Sequence, residues 1–359
     1  MEDDLGWSRS FLTGVLSVAL VIGALLGIGV GHWLDRNEPR RLLIPGAILA
    51  SVLVAAWSAA RSKPVFLAVW VGLGGCQALL FYEPAFTVLT KWFAGAARHR
   101  AVTAVTLMAG LASTIFGPLT AALERSFGWR GAALTLAIVL AAVTLPAFAI
   151  GLRPPAGTDT DAEEPLPSHA PRDAFRERRF WFVASAYLLS SITTFAVGVL
   201  LVAFLREARG LDNGSAAIAL GAVGLVQVAG RSAFARLSSV RSAIQLGTAV
   251  MVAKAVGLAF LLAIPNVVGV VAFVAIYGAA NGLSTLTRAT TIAELYGAQH
   301  YGAISSVVAS IGSVGGAIAP FAAAAAIDVV GDERPVWGSF IVISLLAAVT
   351  NAQARRLRP

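Results

Sequence analysis

Charge is what this sequence has least of. Only 13% of its 359 residues are Asp, Glu, Lys or Arg, against 57% hydrophobic, and the mean hydropathy is +0.78. A soluble domain needs about twice that charge to cover its surface, which excludes a water-soluble globule. Cysteine is nearly absent too. Cys76 stands alone inside an apolar run, so no disulfide scaffold can form within the chain. The four histidines, His32, His99, His169 and His300, fall in or beside loops without ligand spacing, so no metal site is expected. There is no nucleophile elbow, phosphate-binding glycine loop or nucleotide motif, which argues against an enzyme or an ATP-driven pump. The opening Met1-Glu2-Asp3-Asp4 is acidic where a cleavable signal peptide would be basic. A net charge of +8 could suggest nucleic acid. The basic residues, however, lie scattered between apolar runs and form no stripe, so no nucleic-acid partner is expected.

What the chain does have is long apolar runs. Residues 10–32 and 42–60 carry no charged side chain. Each run can cross a hydrocarbon core of roughly 30 Å at about 1.5 Å per residue. Eleven such spans are predicted: 8–33, 42–60, 64–90, 101–123, 131–152, 180–205, 214–236, 242–264, 267–290, 303–327 and 336–354. Between the first two lies a basic turn, Gly31 to Arg41, containing Arg36, Arg40 and Arg41. Threading all eleven spans puts seventeen basic residues on that turn's side and eight on the other. Lys and Arg are retained in the cytoplasm, so the N-terminus is expected outside and the C-terminus inside. The long connection 153–179, rich in Pro, Asp, Glu and Ser, reads as a flexible cytoplasmic linker. It divides a five-helix N-terminal part (1–152) from a six-helix C-terminal part (180–359).

The two parts echo each other. Gly230-Arg231 opens a turn comparable to the one that Gly31 opens, 199 residues later, and Pro320 follows Pro118 by 202. Similar offsets are what an internal repeat of helices produces. The turn Gly31-x-x-x-Asp35-Arg36-x-x-x-Arg40-Arg41 resembles the loop motif between the second and third helices of the major facilitator superfamily. Leu5-Gly6-Trp7-Ser8-Arg9, Phe127-Gly128-Trp129-Arg130 and Ala293-Glu294-Leu295-Tyr296-Gly297 resemble its monocarboxylate-porter-like members. Glu38 stands where the family motif usually has glycine, and the family's first helix has no counterpart. The resemblance implies an all-α membrane protein of two pseudo-symmetric helical bundles, with eleven transmembrane helices corresponding to family helices two to twelve. We read the absent first helix as a misassigned start codon. It further implies that Asp35 packs against a neighbouring helix start near Gly302 and locks the cytoplasmic side, making Gly31, Asp35, Arg36, Arg40 and Arg41 a gate motif.

Ionisable groups inside spans cost roughly 2.5–3.5 kcal/mol each at a helix centre, so those present need a reason. Glu83 follows Gln77 and Tyr82 and precedes Pro84. Burial disfavours the charged form of a carboxyl, which suits proton coupling; the structural alternative is a carboxylate that pairs a cation or caps a kink. Tyr277, Asn281, Ser284, Thr285 and Arg288 recur at helical spacing on the ninth span, a face too polar for lipid. Arg288 reads either as an anion ligand or as an interfacial cation. Tyr187, with Ser185, Ser190, Ser191, Thr193 and Thr194, makes the sixth span polar as well. Lys254, midway along the eighth span, reads as a snorkelling or paired side chain. By resemblance the third, sixth and ninth spans line the cavity.

The expected function is secondary active transport of a small organic solute, an organic anion on this reading. It would proceed by alternating access in a cell (plasma or inner) membrane, driven by a proton or other ion gradient and without a cofactor. The expected partners are the lipid bilayer and a small-molecule substrate, with the chain a monomer. The alternatives are a drug or metabolite efflux carrier of the same fold and a truncated, non-transporting membrane protein.

Overall fold

A computed structural model of the chain describes residues 2–153 and 170–357, and among them it is entirely helical. The elements are α1 (Glu2–Leu5), α2 (Arg9–Arg36), α3 (Arg40–Ala59), α4 (Lys63–Leu80), α5 (Tyr82–Trp92) and α6 (Gly95–Gly151). They continue with α7 (Pro171–Ala174), α8 (Arg178–Glu207), α9 (Asn213–Ser238), α10 (Ala243–Ala263), α11 (Val267–Tyr296), α12 (Tyr301–Val330) and α13 (Glu333–Arg356). Ten helical stretches among the described residues are long and apolar enough to cross a membrane.

That count differs from eleven because α6 holds two of the expected spans. At 57 residues it would measure about 85 Å if straight, nearly three hydrocarbon thicknesses. It breaks at Gly128, whose φ of 66° and ψ of 173° lie in a region only glycine occupies readily. Arg130 fastens the corner. Its guanidinium stacks 4.3 Å from the Trp129 ring and donates to the carbonyls of Ser58 (2.7 Å) and Ala60 (3.0 Å). The third expected span is also interrupted. Pro84 has no N–H for the Leu80 carbonyl and its ring crowds that group, so α4 ends at Leu80 and α5 begins two residues later.

Most of the expected linker, 154–169 with His169, lies outside the described residues. Its end is ordered: α7 packs Phe175 edge-on against Phe180, and Trp181 Nε1 donates to the Phe175 carbonyl at 2.9 Å. His99, Arg98 and Arg100, between two expected spans, lie in α6, and Arg231 and Arg236, counted with the basic residues on the first turn's side, lie in α9. Arg231 is buried and donates to the Thr106 carbonyl at 2.7 Å, so it does not report membrane topology.

Two compact units divide the chain, and they are not its two sequence halves. The first is Met1–Ala94, Leu111–Glu164 and Ala298–Ser310. Its helices α2, α3 and α4 meet around Val15, Ala60 and Phe66, with Trp7, Phe11, Trp57 and Trp70 packed on them edge to face. The second is Gly95–Gly110, Pro165–Gly297 and Ile311–Pro359. Its core stacks Phe204 on Trp337 (4.2 Å) and Phe273 on Tyr277 (4.9 Å). Asp212 starts α9 by accepting from the amides of Gly214 and Ser215 and from the Ser215 hydroxyl, and these bonds hold its carboxyl below the usual range.

Lipid supplies no hydrophobic drive for helices to associate, so close backbone approach at small residues must do so. At Gly282 the approach is extreme, since a Cβ there would sit 2.1 Å from the Gln227 carbonyl oxygen. Gly221 on α9 faces open space. Alanine raises helix propensity at either position by up to about 1 kcal/mol, while overpacking costs about 1–3 kcal/mol. Gly282→Ala should therefore lower the melting temperature of the purified protein, and Gly221→Ala should hold or raise it. Equal melting of the two variants would contradict this packing.

Candidate functional site

The break before α5 creates the first polar cluster, in the first unit. Phe81 is extended (φ −86°, ψ −154°), so the first turn of α5 exposes its N-terminal dipole end partway along the span. Glu83 occupies that turn and is half-buried, and its Oε2 accepts from Ser305 Oγ at 2.7 Å. Thr87 Oγ1 donates to the Glu83 carbonyl at 2.8 Å. Tyr82 shares the turn, its ring stacked on Phe86 at 5.4 Å, and Gln77 lies in the last turn of α4. The candidates Gln77, Tyr82 and Glu83 thus flank one helix break, with Ser305 of α12 as the carboxylate's partner.

The basic turn supplies a second cluster in the same unit. Asp35, in the last turn of α2, takes the N–H groups of Gly302 (2.8 Å, at Oδ1) and Ala303 (2.7 Å, at Oδ2) at the start of α12. Those amides have no acceptor within their own helix, and a carboxylate there also meets the positive end of the dipole. Glycines let the helices come this close. A Cβ on Gly31 would lie 2.1 Å from the Gly302 oxygen, and one on Gly302 would lie 2.4 Å from the Gly31 oxygen. Lys91 Nζ donates to the Leu34 carbonyl beside it, and Ser310 Oγ to the Ala24 carbonyl further along. Arg40 donates to the Ala149 carbonyl at 3.0 Å, Arg41 pairs with Glu38 at 3.2 Å on the surface, and Arg36 is exposed.

The third cluster is a polar seam between α8 and α11 in the second unit. Tyr187 Oη lies 3.3 Å from Thr291 Oγ1, with Arg288 electrostatically close to the same phenol. Further along, Thr194 Oγ1 lies 3.2 Å from Asn281 Oδ1, and Tyr277 Oη points to the Thr193 carbonyl. The α11 face is graded. Tyr277 is buried against Phe273, while Asn281, Ser284, Thr285 and Arg288 are half-exposed. Tyr187, Asn281 and Arg288 therefore share one seam, and Tyr277 closes its inner end.

Lys254 contradicts the snorkelling expectation. It is 1% exposed, and its Nζ donates to Ser190 Oγ (3.1 Å) and Thr194 Oγ1 (2.8 Å). The signal was present in the sequence. At the centre of a 21-residue helix, Lys254 is about 15 Å from either end, beyond the reach of its side chain. Glu294 was also passed over as a candidate. Its Oε2 accepts the Ala243 N–H at the start of α10 (2.9 Å), as Asp35 does for α12. No cluster of His, Cys, Asp or Glu able to hold a metal occurs among the described residues.

Comparison with known proteins agrees with the helical architecture. The family model described as Major Facilitator Superfamily matches residues 1–320. A Bacillus subtilis (strain 168) protein named uncharacterized MFS-type transporter YcxA is 27% identical over 205 residues, 55% of this chain. The match spans 46%, about half, of that relative's length. Among solved structures, FucP in the outward conformation superposes with a TM-score of 0.78 at 14% identity, covering 97% of this chain and 91% of that one. The human organic anion transporter MFSD10 (TETRAN) gives a TM-score of 0.75 at 16% identity, covering 98% and 87%.

The Asp35 contact makes a prediction independent of any solute. Hydrogen bonds to a charged group are worth about 1.5–3 kcal/mol, and Asp35 supplies both of those at the α12 start. In Asp35→Ala, hydrogen exchange at the Gly302 and Ala303 amides should accelerate at least about tenfold. Unaltered exchange at both would show that the carboxylate does not hold that helix start.

Proposed function

The chain belongs to the Major Facilitator Superfamily, and on that footing we propose that it is a secondary active carrier of a small organic anion, coupled to protons and working by alternating access. It is a multi-pass membrane protein with a transporter fold. The inner or plasma membrane, with the C-terminus cytoplasmic, suits the distribution of its basic residues. The observation that carries the solute class is the α8–α11 seam. Residues 187–194 and 277–291 contain hydroxyls, an amide and Arg288 but no Asp or Glu. A half-exposed guanidinium on a hydroxyl-lined face offers bidentate recognition to a carboxylate. The fold neighbours, among them a human organic anion transporter and a fucose:proton symporter of E. coli, support the same reading. The monocarboxylate-porter-like motifs narrow the proposed solute to a carboxylate.

Glu83 is the proposed proton carrier. Its carboxylate lies at a mid-span helix start with a hydroxyl partner, Ser305, that can accept from a carboxylic acid as readily as it donates to a carboxylate. Gln77 and Tyr82 flank the same break and complete the proposed pathway. Asp35 is the proposed latch, with Gly31 giving the close approach and Arg36, Arg40 and Arg41 facing the membrane surface. Its two bonds form only while the start of α12 is against α2.

A thermal-shift screen of carboxylates, with neutral and cationic compounds alongside, on the purified protein would supply a solute for reconstitution. Glu83→Gln should then abolish uptake driven by a pH gradient in proteoliposomes, and Arg288→Gln should weaken the stabilising carboxylate at least about tenfold. PH-dependent flux that survives Glu83→Gln would remove that residue from the coupling. Stabilisation by neutral or cationic compounds alone would remove the anion.

A further inference from the structure

Lys254 lies inside the second unit, and among the described residues no opposite charge lies against it. Its contacts are two hydroxyls, Ser190 Oγ and Thr194 Oγ1 on α8, and the face of Tyr277 on α11, whose centroid is 6.0 Å from Nζ. The helices around α10 carry other charged or titratable groups: Arg178, Arg179, Tyr187, Arg206 and Glu207 on α8, Arg231 and Arg236 on α9, Arg288, Glu294 and Tyr296 on α11, and Glu333, Arg334, Arg355 and Arg356 on α13. None of these touches the amine; Tyr277 is the titratable group that faces it. A permanently charged ammonium buried without a counter-ion is among the costliest arrangements a protein can hold, and in a membrane such a group marks function by default.

The partners explain how the position is tolerated. A carboxylate would hold the lysine charged, because it can only accept hydrogen bonds. A hydroxyl can accept from an ammonium or donate to the lone pair of a neutral amine, so Ser190 and Thr194 satisfy either state. Thr194 has somewhere to turn its single proton in each case. Its Oγ1 is 2.8 Å from the Ser190 carbonyl and 3.2 Å from Asn281 Oδ1 as well as 2.8 Å from Nζ. Asn281 is half-exposed on the α11 face, so a single hydroxyl separates the buried amine from an accessible side chain.

We propose that Lys254 is a reversible proton-binding site, loaded from and unloaded to water along the Thr194–Asn281 contact. Loading forms an N–H bond at the amine lone pair and breaks an O–H bond of hydronium; unloading is the reverse, and nothing is oxidised or reduced. The charged state adds a cation beside the seam where an organic anion is proposed to bind, so proton and anion would be carried together. That consequence rests on the carrier reading, whereas the protonation itself does not. It is also separate from Glu83, which belongs to the other unit.

The chain has three lysines, Lys63, Lys91 and Lys254, so the lysine Nζ spectrum of a 15N-lysine sample is almost empty. Magic-angle-spinning spectra of the full chain in proteoliposomes, with no solute added, would read each protonation state directly. Loss of one signal in Lys254→Arg assigns it, and Lys63→Arg with Lys91→Arg assigns it by elimination should that variant not fold. The Lys254 signal is expected to pass between the ammonium and amine positions within about pH 5–9, the range open to a buried lysine. Thr194→Val is expected to displace the midpoint by at least about half a pH unit, since one of the two hydroxyl partners is lost. A signal fixed in either state across that range, or a midpoint unmoved in Thr194→Val, overturns the proposal. Absence of any solute flux through the unaltered protein in proteoliposomes would defeat the carrier reading and leave this titration in place, and a fixed Lys254 would leave the flux result in place.

Discussion

Inside hydrocarbon, every polar group must find its partner within the protein, because no water is there to take it. That constraint accounts for most of what is specific in this structure. Where a helix begins or breaks, a side chain from another element meets the orphaned amides. Asp35 of α2 does so for α12, and Glu294 of α11 for α10. Where carbonyls are left over, cations reach them: Lys91 for Leu34, Arg130 for Ser58 and Ala60, and Arg40 for Ala149. Many of the charged side chains away from the surface thus serve the backbone of a different helix rather than an opposite charge.

The same constraint separates polar groups that serve helix ends from those that do not. Asp35 and Glu294 sit at helix ends and satisfy two and one amides respectively, which is reason enough for their presence. Glu83 and Lys254 lie inside spans and meet side-chain hydroxyls instead. Glu83 meets the Ser305 hydroxyl and Lys254 the hydroxyls of Ser190 and Thr194, groups that can reverse the direction of a hydrogen bond. A partner of that kind tolerates two protonation states, which suits the proposed proton-coupled cycle.

Much of this was legible beforehand, and the limits are instructive. Asp35 was placed beside a helix start near Gly302 through a motif resemblance, and its carboxylate lies on the Gly302 and Ala303 amides. The period of the α11 polar positions correctly put Asn281, Ser284, Thr285 and Arg288 on one half-exposed face. It could not tell that Tyr277, on the same face, turns inward onto Phe273 and toward Lys254, because that depends on how α10 packs there. Arg231 was misplaced for a related reason. A Gly-Arg pair reads as a turn, yet here the glycine admits the Ala279 backbone and the arginine reaches into the unit.

Sequence alone determined the class of molecule: too little charge for water, runs of the right length for lipid, and basic residues distributed with a sidedness. These are sums over composition and spacing, and they survive any detail of packing. Tertiary structure alone decided which short stretches join which compact unit, that Gly128 folds one long helix back while Pro84 breaks another, and which buried charges have counter-ions. A buried charge takes its meaning from atoms supplied by helices distant in the chain. Lys254 sits 60 residues from the hydroxyl of Thr194 that it touches, and no local pattern records that separation.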